Sequence, residues 1–341
     1  MTKLNIALIG LGMAVTPHAK SLLDLADRVN VVAAYSPTAA RREQFAKTFG
    51  MPVTDDLDAI FADPQIVAVM LLTPPSTHLD LVRRAAAAGK HILLEKPLEI
   101  STARAEALVA AAVGVTLAVV LQNRFRAGAM ALAQVLAEGQ LGNIIGASAR
   151  LYGWRPQSYY DEPGRGTLAR DGGGVLLTQG IHTLDLLISL AGLPKDVTGF
   201  AATSPVHQME TEDIVACAVR YDNGAMGTIS ATTCAYPGFP EHIDIIGTRG
   251  TAVLTGPVLK VDFSDGTMLE AGSATTGSGT GADPMAFAHD SHQAVLEDFL
   301  DAIEAGRAPK ISGAEALKAH DLIDAMLAAG QTGVMQRVRR R

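Results

Sequence analysis

The stretch LNIALIGLGMAV, residues 4–15, decides the fold of the N-terminal half. An apolar run ends here at a Gly-x-Gly turn and passes at once into a segment with helical spacing. Without side chains, Gly10 permits the tight turn and Gly12 lets the backbone approach a pyrophosphate, while the start of the helix supplies free N–H groups. The third small residue of the usual fingerprint falls on Val15, which leaves Ala14 to provide close packing. A lone Gly-x-Gly also occurs as a simple tight turn, but at the start of a βαβ unit it favours a phosphate-binding loop over residues 10–14, with Met13 included.

The sequence after this turn alternates between short apolar runs and helical periodicity up to about residue 122. The runs are rich in Val, Ile and Leu with little polar alternation, as parallel strands buried on both faces require. They are Leu4–Ile9, Val29–Tyr35, Ile66–Leu72, His91–Leu94 and Leu117–Gln122, with helical segments at Ala14–Ala26, Thr38–Phe49, His78–Ala88 and Thr102–Ala112. This order predicts an α/β fold whose residues 1–122 form a doubly wound parallel Rossmann sheet that binds a dinucleotide.

Residues 123–341 change character and predict a second, α+β domain for substrate binding and oligomerisation, with an open, mostly antiparallel sheet. Two turns, at residues 222–224 and 248–250, indicate antiparallel hairpins. The predicted strands are Ile144–Tyr152, Asp213–Tyr221, Ala225–Thr232, His242–Gly247 and Thr251–Thr255, and the predicted helices are Ala129–Glu138, Val175–Leu190, His289–Glu304 and Gly313–Ala329. An open sheet face needs a cover of helices or of another subunit, so we expect a homo-oligomer. The stretch 272–283, rich in Gly, Ser and Thr, predicts a mobile loop or lid.

Composition excludes several classes of protein. A chain of 341 residues with 48% hydrophobic and 18% charged residues has material for two buried cores. A net charge of −7 argues against nucleic acid as the main partner, because phosphate binding needs a basic face. No apolar stretch approaches the roughly 20 residues of a membrane span, and the start shows no secretory signal, so a cytoplasmic protein is expected.

A metal site is not expected from the cysteine and histidine spacing. The two cysteines, Cys217 and Cys234, do not form a Cys-x-x-Cys pair, which also argues against a disulfide framework. His289 and His292 lie three residues apart on a predicted helix, but no acidic or cysteine ligands accompany them at metal-like spacing.

The end of the second predicted strand bears on the choice of cofactor. An NAD site expects an acid about 20 residues after the turn, to bind the ribose hydroxyls. This strand instead ends Ala-Tyr-Ser-Pro, and arginines follow at 41 and 42. Ser36 is suited to bond a 2′-phosphate and Arg41 to pair with its charge. The pattern favours NADP, with NAD as the alternative and ordinary solvated arginines as the non-functional interpretation.

Several further motifs resemble those of the Gfo/Idh/MocA family of oxidoreductases. They are Thr73-Pro74-Pro75-Ser76-Thr77-His78, Glu95-Lys96-Pro97, the Gly-rich run from Gly172 to His182, Glu212-Asp213, and Ser312-Gly313-Ala314-Glu315-Ala316. Each is weak alone, but in this order, with the first two at the ends of successive predicted strands, the set is specific. The resemblance covers nearly the whole chain.

The resemblance implies a Rossmann domain joined to an open-sheet substrate domain, and interconversion of a secondary alcohol and a ketone on sugars, cyclitols or related small molecules. Dimers or tetramers are usual in the family. The implied roles are Lys96 as a catalytic residue with His182 as its partner. Further cofactor contacts are implied at Thr73, Pro74, His78, Glu95, Lys96, Trp154 and Arg155, and substrate contacts at Lys96, Arg155, Arg165, Thr178, Gln179 and His182.

The chemistry of these residue types agrees with the implied roles. Hydride removal from a secondary alcohol needs a base within reach of the hydroxyl proton. Lys96 follows a strand at the edge where open α/β sheets place ligands, and burial near a positive nicotinamide would lower its pKa. His182 follows Thr178 by four residues on a predicted helix, so both can share one face. Many members carry Asp where this chain has Thr178, and a hydroxyl cannot replace a carboxylate base. Asp185, one turn further on, either orients His182 or caps interdomain packing.

The substrate class stays open between several interpretations. The run from Thr178 to His182, preceded by the segment from Trp154 to Tyr160, resembles family branches that act on acidic sugars or other carboxylated substrates. Arg155, Arg165 and Arg170 would suit such a carboxylate. Trp154 itself either packs against the nicotinamide or fills a domain junction. The leading expectation is an NADP-dependent dehydrogenase or reductase of a polyol-like or acidic sugar-like compound. The alternatives are an NAD-dependent dehydrogenase of a cyclic dihydrodiol carboxylate and a non-catalytic dinucleotide-binding sensor on the same fold.

Overall fold

The computed structural model describes residues 3–273 and 288–341. The chain divides into two compact units, one formed by Met1–Val120 with Ala288–Leu317 and the other by Leu121–Phe287 with Lys318–Arg341. The first unit thus includes a late segment of the chain that the proposed boundary at residue 122 assigns to the second domain. The loop predicted at 272–283 lies, from residue 274 onward, outside the described residues.

The described residues form fourteen strands and ten α-helices, numbered here in chain order. The strands are β1 (Leu4–Ile9), β2 (Val29–Tyr35), β3 (Ala68–Leu71), β4 (His91–Leu94), β5 (Leu117–Val119), β6 (Ile144–Tyr152), β7 (Asp196–Ala202), β8 (Ile214–Arg220), β9 (Met226–Thr232), β10 (His242–Gly247), β11 (Gly250–Thr255), β12 (Val258–Phe263), β13 (Met268–Ala271) and β14 (Gln336–Arg337). The helices are α1 (Val15–Asp24), α2 (Ala39–Phe49), α3 (Leu57–Ala62), α4 (His78–Ala87), α5 (Thr102–Ala111), α6 (Ala127–Ala137), α7 (Gln157–Tyr160), α8 (Ile181–Ala191), α9 (Asp290–Ala305) and α10 (Gly313–Thr332).

The first unit is built on a five-stranded parallel sheet in the order β2-β1-β3-β4-β5. Every residue of β3 is buried, as the uninterrupted apolar run predicts for a strand covered on both faces. Helix α9 packs against α1 and β4 within this unit. The predicted α/β class is confirmed, and β1, β2 and β4 have the predicted bounds. The short helix α3 was not foreseen.

The second unit contains a nine-stranded sheet in the order β13-β12-β11-β10-β6-β9-β8-β7-β14. Only β6 and β9 pair in parallel, so the mostly antiparallel sheet is also confirmed. The sequence pattern missed β7, β12, β13 and β14.

One face of the nine-stranded sheet is covered by helices, because α6 packs on β11, β12 and β13 while α8 packs on β6 and β10. Strand β8 shows the consequence, since Val215, Cys217 and Val219 are buried while the residues between them are exposed. Apolar side chains also stand exposed on the strands of this sheet, among them Phe200 at 77% and Met226 at 67%. Among the described helices, none is both long and apolar enough to cross a membrane.

Candidate functional site

The turn after β1 requires glycine at its first position. Gly10 has a φ of 108°, a left-handed conformation that side chains rarely adopt, and its N–H donates to the carbonyl of Tyr35 at 3.0 Å. A Cβ at Gly10 would also lie 2.7 Å from the carbonyl oxygen of Leu72 at the end of β3. The glycine therefore brings the turn close to the next strand of the sheet.

The start of α1 fits a phosphate group. Among the described residues, no heavy atom lies within 4 Å of where a Cβ of Gly12 would be, and no side chain caps the start of the helix. Met13 is 49% exposed and Ala14 is the N-cap, while Val15 is buried in the position of the usual third glycine. An uncapped helix start offers N–H groups and a partial positive charge to an anion.

An acid that sequence reasoning missed, Asp55, lies beside the end of β2. Thr54 pairs with Tyr35 in an isolated bridge, and this pairing brings Asp55 beside the strand end. Arg42 donates to the carbonyl of Ser36 at 2.7 Å and to the Asp55 carboxylate at 3.1 Å.

The two residues predicted to favour NADP lie in different surroundings at this strand end. Ser36 is buried, and its Oγ accepts from the N–H of Thr38 at 3.3 Å. Arg41 is exposed in the first turn of α2. The side chain of Arg41 is therefore the one accessible to a phosphate from solvent.

The segment after β4 is held by a buried hydrogen bond between a histidine and a glutamate. The Nε2–H of His18, on α1, donates to Oε1 of Glu95 at 2.7 Å, and Oε2 of Glu95 accepts from the backbone N–H of Lys96 at 3.0 Å. Burial alone raises the pKa of Glu95, but the hydrogen bond and charge of His18, with further positive charge nearby, hold that pKa below its ordinary value. Lys96 is half-buried. The peptide bond between Lys96 and Pro97 is cis, although most bonds before proline are trans.

His78 holds the same segment from the other side. Its ring is wholly buried, with Nε2 2.9 Å from the carbonyl oxygen of Thr73 and Nδ1 3.1 Å from those of Pro97 and Leu98. Burial lowers the pKa of His78 despite these carbonyls. The ring therefore ties the loop after β3, where Pro74 is exposed, to the loop that presents Lys96. Its cofactor contact stays a prediction.

The glycine run in the second unit precedes a helix whose first N–H groups, unlike those of α1, are bonded to a carboxylate. The carboxylate of Glu212 accepts from the N–H groups of Gly174 at 3.0 Å and Leu176 at 3.1 Å, and its carbonyl accepts from Val175 at 2.8 Å. A Cβ on Gly174 would overlap the carbonyl of Glu212. Burial raises the pKa of Glu212, and the hydrogen bonds from the backbone do not fully offset it.

Thr178 and Gln179 lie in a π-helical turn, Leu176–Gly180, that precedes α8. The Thr178 hydroxyl donates to the carbonyl of Gly174 at 2.6 Å and also contacts Gln179. His182 is half-buried on the first turn of α8. The predicted continuous helix over 175–190 is thus interrupted by one wider turn.

Asp185 forms a buried two-point ion pair with Arg124, whose Nε and Nη2 lie 2.7 and 2.5 Å from the carboxylate oxygens. The carboxylate fixes α8 to the turn at Gln122–Phe125, and so fixes the helix that carries His182.

Two arginines of the second unit share an aromatic neighbour. Arg155 is buried, donates to the carbonyl of Trp154 at 2.8 Å and lies 5.6 Å from the ring centre of Tyr159. Arg165 lies 4.3 Å from the same ring and donates to the Tyr159 hydroxyl at 2.7 Å and to Glu162 at 2.8 Å. Burial lowers the pKa of Arg155, and the neighbouring charge of Arg165 acts in the same direction.

The surroundings of the remaining aromatic and basic candidates are also defined. Trp154 packs edge-on against Tyr236, with ring centres 5.6 Å apart. Arg170 donates to the carbonyl of Pro163 at 2.5 Å.

His292, which the sequence pattern left without ligand-like neighbours, lies with His18 and Glu95 in a group whose ligand atoms are within 4.8 Å of one another. Tertiary folding, rather than any spacing along the chain, assembles this group.

Two family models match the chain. One, described as an oxidoreductase family with an NAD-binding Rossmann fold, matches residues 4–122. The other, the GFO/IDH/MocA C-terminal domain, matches residues 129–253. The matches fall on the parallel sheet and on the first half of the nine-stranded sheet region.

Individual relatives agree with these models. The chain is 29% identical over 338 residues to an inositol 2-dehydrogenase of Rhizobium meliloti (strain 1021), covering 94% of this chain and 95% of the relative. It is 28% identical over 225 residues to a trans-1,2-dihydrobenzene-1,2-diol dehydrogenase of Mus musculus, covering 65% of each. Among solved structures, the WlbA dehydrogenase from Bordetella pertussis, in complex with NADH and UDP-GlcNAcA, superimposes with a TM-score of 0.84 at 26% identity, covering 100% of both chains.

Proposed function

Because the chain belongs to the Gfo/Idh/MocA oxidoreductase family, we propose that it is an NAD(P)-dependent dehydrogenase or reductase of CH–OH groups. Its substrate is a secondary alcohol or ketone of a sugar, a cyclitol or an acidic sugar-like compound. The observation that carries this proposal is the fixed presentation of Lys96, which follows β4 in the unit that also holds the open phosphate turn. Two buried histidines, His18 and His78, hold the segments on either side of Lys96.

The residues of the first unit fit a dinucleotide. Gly10, Gly12, Met13 and Ala14 would hold the pyrophosphate at the start of α1, where N–H groups and open space are available. Thr73 and Pro74 would line the approach from the end of β3. When bound, the nicotinamide ring supplies the hydride acceptor or donor.

The chain's own residues would then manage the proton and the substrate. Lys96 would take the hydroxyl proton during oxidation and return it during reduction. His182 would bond a substrate hydroxyl or share the proton transfer. Thr178 cannot serve as a carboxylate base, and its hydroxyl donates to Gly174. This arrangement leaves the acid–base work to Lys96 and His182.

Arg155 and Arg165 support an acidic substrate. Both guanidinium groups lie against the ring of Tyr159, and the charge of Arg165 disfavours the charge of Arg155. A substrate carboxylate beside them would relieve that repulsion and accept hydrogen bonds from a planar guanidinium. The carboxylated sugar nucleotide named for the Bordetella pertussis structure is consistent with this class.

We also propose NADP as the preferred form of the cofactor. Arg41 is exposed at the start of α2, and Asp55, the acid beside the end of β2, is already paired with Arg42. NAD remains the alternative, and the complex of the Bordetella pertussis relative contains NADH.

The test of the function is turnover of a panel of polyols, cyclitols and sugar acids with NAD⁺ and NADP⁺, followed by the absorbance of the reduced nicotinamide. We expect Lys96→Met to lower kcat/KM by at least about 100-fold, the usual worth of a general base. Lys20→Met, which removes an exposed lysine of α1, is the matched control. Turnover by Lys96→Met at the wild-type rate would contradict the proposal.

The acidic-substrate part is tested separately. Arg155→Ala and Arg165→Ala should raise KM for carboxylated substrates while leaving KM for neutral polyols close to the wild-type value. An unchanged KM for carboxylated substrates in both variants would contradict the proposal of an acidic substrate. It would not affect the proposal that the chain is a dehydrogenase.

A second candidate is an NAD-dependent dehydrogenase of a cyclic dihydrodiol carboxylate. The similarity to the mouse dihydrobenzenediol dehydrogenase favours it. Adding cyclic dihydrodiols to the same panel distinguishes the two, since the better substrate is the one with the higher kcat/KM.

We further propose that the chain forms a homo-oligomer through the exposed apolar side chains of the nine-stranded sheet. Phe200 and Met226 are large apolar residues that water would otherwise cover. Light scattering should give a mass of two or four chains, and Phe200→Asp should reduce it.

A further inference from the structure

A buried cluster in the second unit, here called the Cys–His–Asp cluster, joins His207, Asp213 and Cys234. Nδ1 of His207 lies 2.8 Å from Oδ2 of Asp213, and Sγ of Cys234 lies 3.2 Å from the same oxygen and 3.7 Å from Nδ1. The side chains of His207 and Asp213 have no exposure to solvent. The proposed dehydrogenase reaction uses none of these three side chains.

The hydrogen bonding of His207 determines which of its two ring nitrogens presents a free electron pair to the cluster. Nε2 lies 2.8 Å from the backbone carbonyl oxygen of Arg155, which only accepts, so Nε2 carries a hydrogen. In the neutral ring Nδ1 then has a free electron pair. That electron pair points at Asp213, whose carboxylate oxygen is also an acceptor, and the Cys234 sulfur lies beside both. Nδ1, the carboxylate oxygen and the sulfur thus converge on one point, where either a proton on Nδ1 together with the Cys234 S–H, or one metal ion in their place, can satisfy them.

We propose that the Cys–His–Asp cluster is a binding site for a zinc-type divalent metal ion, ligated by Nδ1 of His207, Oδ2 of Asp213 and Sγ of Cys234. Tetrahedral zinc with bonds of about 2.0–2.3 Å places its ligand atoms about 3.3–3.6 Å apart. The two separations that involve sulfur, 3.2 and 3.7 Å, lie close to that range. Only the nitrogen–oxygen separation has to open, by about 0.5 Å.

The surroundings of the cluster also suit a metal. A thiolate and a carboxylate balance the two positive charges of the ion, which avoids a net buried charge. The bond from Nε2 of His207 to a backbone carbonyl is the outer contact that orients metal-bound histidines. Ser204 donates its N–H to Oδ1 of Asp213 at 2.7 Å and its hydroxyl to Oδ2 at 2.8 Å, and that hydroxyl oxygen lies 3.2 Å from the sulfur. Cys234 is partly exposed, which provides a route of entry.

A metal here would be structural and would support the proposed substrate arginine. It would join the segment from Ser204 to Asp213 to Cys234, which pairs with Trp154 in an isolated bridge. Through His207 it would also fix the backbone carbonyl of Arg155. The sequence spacing gave no sign of such a site, because the cysteine and the histidine are far apart in the chain.

The experiment is a titration of the purified, metal-stripped full chain with Co²⁺ and with Zn²⁺. We expect one ion per chain, a cysteine-to-cobalt charge-transfer band in the near ultraviolet, and a higher Tm with zinc. Cys234→Ser should remove the band and weaken zinc binding by at least about tenfold. Cys217→Ser, which replaces the buried cysteine of β8, is the matched control and should keep both.

Circular dichroism of Cys234→Ser without metal verifies that the variant folds, and Ser204→Ala provides a milder change at the edge of the cluster. Failure of the wild-type chain to bind either ion at micromolar concentration would overturn the proposal and leave the cluster as a hydrogen-bonded ion pair. Binding without a charge-transfer band would also overturn it. That result would direct attention to the group of His18, Glu95 and His292, which offers only nitrogen and oxygen ligands.

Discussion

Two glycine-rich turns lead into helices in this molecule, and they differ in what faces the first N–H groups. After Gly10-Leu11-Gly12, the start of α1 has no side-chain cap among the described residues. After Gly172-Gly173-Gly174, the corresponding N–H groups are bonded to the carboxylate of Glu212. Both helix starts carry the same partial positive charge. The first is left for an anion from solution, and the second is already satisfied from within the chain.

The difference teaches that glycine has two distinct uses at a helix start. At Gly12 the missing side chain leaves space open, whereas at Gly174 it lets another part of the backbone come close. The open turn is suited to bind a ligand, and the closed turn is suited to hold Thr178 and His182 in place. Four substitutions can break or sharpen this comparison.

The largest effect is expected for Gly174→Ala. A Cβ at residue 174 would overlap the backbone carbonyl of Glu212. Neither the backbone at residue 174 nor that at Glu212 can shift without a large cost in free energy. We expect a loss of about 3 kcal/mol or more in the free energy of unfolding, measured by chemical denaturation. A variant as stable as the wild type would show that the closed turn does not depend on close backbone approach.

The next effect is expected for Glu212→Gln. The amide replaces one accepting oxygen by a donor, so one buried N–H loses its partner at a cost of about 2 kcal/mol. The pKa of Glu212 is raised in the folded protein, so the folded state binds a proton more tightly than the unfolded one. Wild-type stability should therefore fall as pH rises from the ordinary glutamate pKa through the raised value.

Glu212→Gln should lack this falling component. Denaturation of both proteins across the acidic range measures the difference between them. A difference that does not vary with pH would mean that Glu212 has the same pKa in the folded and unfolded states.

A smaller and more selective effect is expected for Gly12→Ala. Its Cβ would meet no described atom within 4 Å, so Tm should be unchanged. The added methyl group would occupy the space proposed for the pyrophosphate, and cofactor Kd should rise about tenfold, the worth of one hydrogen bond to a charged group. Gly10→Ala is the contrasting variant, because it should lower both Tm and cofactor affinity. Unchanged cofactor binding by Gly12→Ala would contradict the open turn as the phosphate site.

The smallest effect is expected for Arg41→Ala, which tests a second position proposed to bind the cofactor, after strand β2. Loss of an exposed cation near a phosphate costs about 1 kcal/mol, so the Kd for NADPH should rise roughly fivefold while that for NADH stays constant. Lys47→Ala, on the exposed surface of the same helix, is the charge control. Fluorescence titration measures both dissociation constants. Equal affinities for NADPH and NADH that do not change in Arg41→Ala would contradict the proposed preference for NADP.

The sequence predicts the first unit more completely than the second, for a physical reason. Strands such as β1 and β4 are short apolar runs between helical segments, and that signal is local. Strand β7 (Asp196–Ala202) alternates only weakly, and the π-helical turn at Leu176–Gly180 leaves no trace in apolar spacing. These elements depend on neighbours from distant parts of the chain.

The candidate site divides in the same way. Lys96 and His182 were predicted from motifs, since each belongs to a short recognisable run. The residues that hold their segments were not found, because His18 and Arg124 act through partners far along the chain. Only the folded backbone brings such partners together.

The late segment 288–317 of the first unit has a consequence for synthesis on the ribosome. Helix α9 packs on α1, and the backbone around Ile311 bonds to Val119 at 2.9 Å. The nucleotide half is therefore incomplete until residues 288–317 have been translated, although its sheet is made first. Any attempt to graft that half onto another protein has to carry both pieces, residues 1–120 and 288–317, joined by a new linker.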